Sequence, residues 1–279
     1  MRKLFFALTI GAFIGTTTAQ ELPAPSPGCK IESRVGLTDV TLEYSRPSVK
    51  GREIFGSLVP YDKVWRFGAN KNTMVTFSTD VTIDGKELKA GTYSIFATPN
   101  KEEWTIAFNT DTEQWGAGGY TTEKDALSIK VKPEEVKKHE TFTLMVGNLS
   151  NKGATICMVW DNVKIKIPFK VKTHAIALAN IEAAIKEGKD LDVVYYTAAR
   201  YFHSSKNDDK TAMEYIEKSL KVKENFKCLF LQAQIFEGQG KMKEAIDSAE
   251  KAQKLALEEK NEGWASYIKE TLDDWRKKK

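Results

Sequence analysis

Cysteine is scarce in this chain of 279 residues. Cys29, Cys157 and Cys228 allow at most one bridge and leave a thiol over, so the fold must rest on ordinary hydrophobic cores. Histidine is equally scarce: His139, His174 and His203 stand near neither a cysteine nor a paired acid at ligand spacing, so no metal site is expected. Long apolar runs are missing apart from Leu4–Ile14, which is shorter than the roughly 20 residues a bilayer span needs; an integral membrane protein is excluded. An excess of one charge is missing too. The net charge of +4 falls to +2 once Arg2 and Lys3 are set aside, and 20–171 and 172–279 each carry 20 basic and 19 acidic residues, which argues against a nucleic-acid partner. No nucleophile elbow, phosphate loop or zinc signature is present, so no cofactor is expected.

What is present begins with "MRKLFFALTIGAFIGTTTAQ". Two basic residues, an apolar run and small residues up to Ala19 have the form of a secretory signal peptide (1–19). The expected mature protein is exported, to the periplasm or beyond the cell, and starts near Gln20. From Lys30 to about Val171 the apolar pattern has period two: Trp104, Ile106 and Phe108 fall on one face of "EWTIAFN", Phe142, Leu144 and Val146 on one face of "ETFTLMV", and Val163, Ile165 and Ile167 alternate with lysines. About ten such segments separated by turn residues predict an antiparallel β-sandwich or jelly roll over 20–171. Asp84-Gly85 marks a tight hairpin turn.

Proline ends at Pro168, and beyond Val171 the apolar period becomes that of helices, so 172–279 is predicted to be an all-α domain. Ala199 and Ala233 stand 34 positions apart in similar surroundings, and Ala212 and Ala245 stand 33 apart. Ser219 and Ala252 continue the series. This period, with small residues where paired helices cross, resembles tetratricopeptide repeats, and a plain helical bundle is the alternative. Stacked helix pairs offer a concave face to a protein partner, with Tyr195, Tyr196, Gln232 and Gln234 as candidates to line it.

Arginine is the residue whose distribution is unusual. After the leader only six of 40 basic residues are arginine, and four of the six lie between Arg34 and Arg66. They enter "YSRPSVKGREIFGSLVPYDKVWRFGAN", a connection too long and irregular to be idle, with a helical turn expected near Ile54–Ser57. A guanidinium fork suits bidentate binding of an anion, bonding to several carbonyls, or stacking on rings. Two uses are therefore open. Arg46, Arg52, Arg66 and Asn70 can satisfy loop carbonyls while Tyr44, Tyr61, Trp65 and Phe67 stack on them. Alternatively, the same residues form a pocket for a small anionic or glycan ligand. Arg46 and Arg52 flank the Pro47–Gly51 turn, and at least one is expected to pin the loop through backbone carbonyls or an acid such as Glu53; Arg66, if it points away from Trp65 and Phe67 as strand-like alternation requires, is the expected ligand residue. A carboxylate pair such as Glu53 with Asp62 leaves a hydrolase as a lesser alternative, and no catalytic residue is assigned.

The motifs "YSRP" (44–47), "KGR" (50–52), "LVPY" (58–61), "WRFGAN" (65–70) and "AGTYS" (90–94) resemble those of the bacterial family catalogued as domain of unknown function 2911. The similarity runs from about Ser26 to Phe169. It implies an exported β domain with no assigned reaction. Members typically carry threonine after the arginine, where this chain has Phe67.

Overall fold

The computed structural model describes residues 22–277; the expected signal peptide lies outside them. The described chain divides into two compact units between Lys172 and Thr173.

The first unit contains ten strands: β1 (Gly28–Val35), β2 (Thr38–Ser45), β3 (Met74–Phe77), β4 (Val81–Ile83), β5 (Lys86–Leu88), β6 (Gly91–Thr98), β7 (Trp104–Asn109), β8 (Asp125–Val131), β9 (Glu134–Ser150) and β10 (Gly153–Val171). All pair antiparallel, in a six-stranded sheet ordered β1-β2-β3-β6-β7-β8 and a four-stranded sheet ordered β5-β4-β10-β9. Their inner faces share one core. Val40, Leu42, Val75, Phe77, Ile106 and Phe108 come from the larger sheet, and Ile83, Phe142, Leu144, Met158, Trp160 and Ile167 from the smaller. Alternation therefore places the core as expected, and the β4–β5 turn has Asp84 and Gly85 both at positive φ (51° and 74°), as a type I′ hairpin requires.

β9 and β10 form a long hairpin with register shifts between Val159 and Val163. Such bulges bend a ladder, and β10 pairs with β9 along its first half and with β4 at its end. Gly153 makes this possible: a Cβ there would sit 2.2 Å from the Phe169 carbonyl oxygen.

The second unit has six helices: α1 (Thr173–Glu187), α2 (Leu191–Tyr201), α3 (Asp209–Val222), α4 (Phe226–Gly238), α5 (Met242–Glu258) and α6 (Glu262–Lys277). The side chains of Asp208 and Asn225 cap α3 and α4, accepting from the Thr211 and Cys228 amides and so satisfying donors that a helix start leaves unpaired. The small residues repeating through this unit, Ala199, Ala212, Ser219, Ala233, Ala245 and Ala252, are all fully buried. Two adjoining clusters result, one from α2, α3 and α4 and one from α4, α5 and α6. All three cysteines are free, and among the described residues no helix is long and apolar enough to cross a membrane.

Candidate functional site

The long connection from Arg46 to Thr73 is held by its own side chains. Arg46 donates through Nε to the Phe142 carbonyl (3.4 Å) and through Nη2 to the Thr143 hydroxyl (3.1 Å), tying the exit of β2 to β9. Arg52 donates to the carbonyls of Val49 (3.0 Å) and Ser48 (2.5 Å) and closes the turn in which Lys50 and Gly51 have positive φ. Both arginines thus pin the loop, where at least one was expected to. No helix forms at Ile54–Ser57; the segment is a tight turn closed by Gly56 N–H to Val59 C=O (2.9 Å) and by Val59 N–H to Ile54 C=O (2.8 Å).

The aromatic residues of the connection do not stack on guanidinium groups. Trp65 is parallel to Trp160 with centroids 5.9 Å apart, and it meets Phe55, Phe67, Trp104 and Phe142 edge-on. Tyr44 packs against Phe142 and donates to the Leu144 carbonyl (3.3 Å); burial first, and the neighbouring Cys29 next, push its phenol up to about 12. Tyr61 packs at the core margin with Lys101 over its ring. Asn70, at positive φ, donates to the Ser26 carbonyl and the Ser45 hydroxyl (3.0 and 3.2 Å). These residues build the platform: rings attract one another and leave water together, which outweighs stacking on a charge that is better solvated outside.

Arg66 behaves differently. Trp65 pairs with Ala97 of β6 through two backbone hydrogen bonds (2.7 and 2.8 Å), continuing the line of β3 beside β6. That pairing turns the rings of Trp65 and Phe67 into the core and Arg66 to the opposite face. The carbonyls that follow are already served: Trp65 Nε1 donates to Gly68 C=O (3.0 Å) and the Thr73 hydroxyl to Phe67 C=O (2.5 Å). These bonds hold Phe67 at φ 51°, a left-handed conformation uncommon for a bulky residue. Arg66 is left without any acceptor among the described residues, and its Nε is buried.

The outer face of β6 and β7 around Arg66 is covered by the loop 110–121. Tyr120 lies against Phe96 with centroids 4.8 Å apart and donates to Asp125 (2.6 Å); burial and that carboxylate both raise its pKa. Asn109 donates to the Thr121 carbonyl and to Asp125 (3.1 and 2.7 Å). Lys124 pairs with Asp111 (2.8 Å) and holds it below the usual carboxylate range. Further along the loop, Gly116 N–H donates to Asn72 Oδ1 (3.2 Å) and Asn72 N–H to Gln114 C=O (3.3 Å). Gly116 adopts φ 129°, and a Cβ there would stand 3.5 Å from Arg66 Nη1. The loop therefore passes near the guanidinium.

Unpaired polar atoms gather here. Arg66 Nε, Asn72 Nδ2, Ser94 Oγ and both amide atoms of Gln114 are buried without a hydrogen bond. Gln114 lies near enough to Asp111 to help lower it but outside bonding geometry. Asn72 is 2% exposed and Ser94 fully buried. An orphaned buried donor costs about 1–3 kcal/mol, and most buried polar groups avoid that cost. An open groove of about 410 Å³ runs beside Asn72, lined also by Lys30, Glu43, Tyr44, Lys71 and Met74. Of the residues expected from sequence, the structure brings Arg66 to the unpaired atoms, while Tyr44 walls the groove, which Arg66 does not line. Asn72, Ser94, Gln114 and Gly116 were not among them.

Glu53 and Asp62 are both exposed, and Asp62 accepts from Asn100 Nδ2 (2.7 Å); no shared carboxylate site forms. Among the described residues no cluster of histidine, cysteine and acid side chains has the makings of a metal centre.

In the helical unit the four expected surface residues do not share one wall. Gln232 accepts from the Ser248 hydroxyl (3.4 Å) and so faces α5, and Gln234, two positions on, points elsewhere. Tyr195 meets Tyr215 (6.2 Å). Tyr196 packs on the α2–α4 cluster and edges a groove of about 340 Å³ with Asn225, Phe226 and Asn261.

No curated protein and no solved structure matches the chain. Residues 26–169, half of the chain and nearly all of the β domain, match the family described as protein of unknown function DUF2911, and the chain belongs to that family.

Proposed function

We propose that the protein is an exported, non-enzymatic binding protein whose β domain holds a small anionic ligand at Arg66 and Asn72. One observation carries this: Arg46 and Arg52 spend their donors on the fold, whereas Arg66 spends none while its own loop is held by Trp65 and Thr73. A half-buried arginine whose Nε has no acceptor, close to a buried amide donor with none, fits a carboxylate or phosphate oxygen. Binding is tested by calorimetry of the mature chain with acetate, inorganic phosphate and small sugar acids. The Arg66→Gln variant should lose binding and keep its melting temperature; a large fall in melting temperature, with no anion bound by the parent, would leave Arg66 a structural residue.

The helical domain on this reading is an adaptor of tetratricopeptide type that takes a protein segment. Its support is the complete burial of the small residues at the 34- and 33-residue offsets. Affinity capture from an exported-protein extract with the full chain as bait, repeated with Tyr196→Ala, tests it; capture unaffected by the change would remove the groove at Tyr196 from consideration. A scaffold role has one observation in its favour, the use of Arg46 and Arg52 as loop pins, and it predicts that no anion binds at Arg66.

A further inference from the structure

Trp115 is the one exposed tryptophan of six, at 76%. It makes no ring contact in the fold. Its neighbours in sequence are the two residues that close over the unpaired donors: Gln114, whose amide is orphaned and whose carbonyl accepts from Asn72, and Gly116, whose backbone passes near Arg66 Nη1 and bonds Asn72. The loop around the indole is anchored by Tyr120 on Phe96 and by Lys124 on Asp111, so the ring is presented from a fixed base.

We propose that this site takes an anionic sugar, a hexuronic acid or its glycoside, with the sugar face on Trp115 and the carboxylate on Arg66 and Asn72. The inference rests on the anion reading above and adds the ligand's class. A bare phosphate or acetate would use the guanidinium and the amide but would have no use for an indole held in water. A pyranose ring presents an apolar C–H face that an aromatic ring receives, and hydroxyls that need both donors and acceptors. Neutral sugars lack the charge that would pair with this guanidinium, whose Nε is buried without an acceptor.

The test uses the full mature chain and three probes: methyl β-glucuronide, methyl β-glucoside and acetate. The glucuronide should bind at least about tenfold more tightly than either of the others, a gap of about 1.4 kcal/mol. Trp115→Ala should erase its advantage over acetate and leave acetate binding unchanged, while Trp115→Phe keeps most of it. Arg66→Gln should abolish binding of both anions. Glucuronide and acetate binding alike, or an advantage that survives Trp115→Ala, would overturn the sugar assignment and leave the anion site standing. No binding of either anion by the parent would overturn both.

Discussion

Replacing Arg66 by methionine separates the two uses of arginine in this fold. Methionine keeps an unbranched stem of similar length and removes every donor. At position 52 the same change removes two charge-assisted bonds, to the carbonyls of Ser48 and Val49, and leaves the turn at Lys50-Gly51 unpinned. The loss should be about 1–3 kcal/mol, the lower end being favoured because Arg52 is exposed and water can replace part of what is lost. At position 66 no hydrogen bond is lost. A buried, unpartnered Nε–H is removed instead, which relieves a cost of similar size, so the folded state should be unchanged or stabilised.

The assay is scanning calorimetry of the full chain, following the transition of the β domain. For a domain of this size 1 kcal/mol moves the midpoint by about 2–4 °C. Arg52→Met should lower it by several degrees, and Arg66→Met should leave it or raise it while abolishing anion binding. Gaining stability as function is lost is the signature of a site whose polar groups are kept for a ligand. If Arg66→Met lowers the midpoint as much as Arg52→Met, Arg66 is holding the fold by some other contact and the reasoning is wrong.

Gly153→Ala should destabilise the β domain by about 1–3 kcal/mol or more, because the added Cβ meets the Phe169 carbonyl oxygen; denaturant unfolding reads it, and a shift under about 0.5 kcal/mol would show that β10 can part from its own end. Asn225→Ala should cost the helical domain about 1 kcal/mol through loss of the cap on α4, seen as an earlier loss of helical circular dichroism. Tyr44 is held neutral up to about 12 while an unfolded tyrosine ionises near 10. Its contribution is therefore full below pH 10 and lost as pH rises from 10 through 12, and Tyr44→Phe should flatten that part of the urea-midpoint profile. Fragments 20–171 and 172–279 should each unfold in one cooperative step, since each owns its cores; a fragment that melts without a transition would show that the division at Lys172 is not one of stability.

The strand faces, the Asp84-Gly85 turn and the change of element at Val171 were readable because each depends on neighbours a few residues apart. Alternation places Trp104, Ile106 and Phe108 inward whatever the rest of the chain does. The two pins could be read for the same reason: Arg52 bonds carbonyls three and four residues back. The partners of the rings were not readable because they are distant. Trp65 meets Trp160, 95 positions away, and nothing local distinguishes a ring waiting for a guanidinium from one waiting for another ring.

The missing half of the candidate site has a physical signal that local pattern reading passes over. In the six-stranded sheet β2 alternates buried and exposed residues, but β6 is buried continuously from Tyr93 to Ala97 and β7 from Ile106 to Asn109. An antiparallel sheet normally keeps one face in water. The run "YSIFA" thus demands that something cover Ser94 and Phe96 on the outer face, and with β1–β3 and β8 already placed in the sheet only a connecting segment is left to do it. The segment after β7, "EQWGAGGY", supplies that cover, and Gly116 at φ 129° brings it near Arg66. A cover made of backbone cannot supply side-chain partners to the polar groups beneath it. Burial of Ser94 and Asn72 under such a loop therefore leaves orphaned atoms beside an arginine that points the same way, and this links the cost of that burial to a ligand that would bring the missing partners.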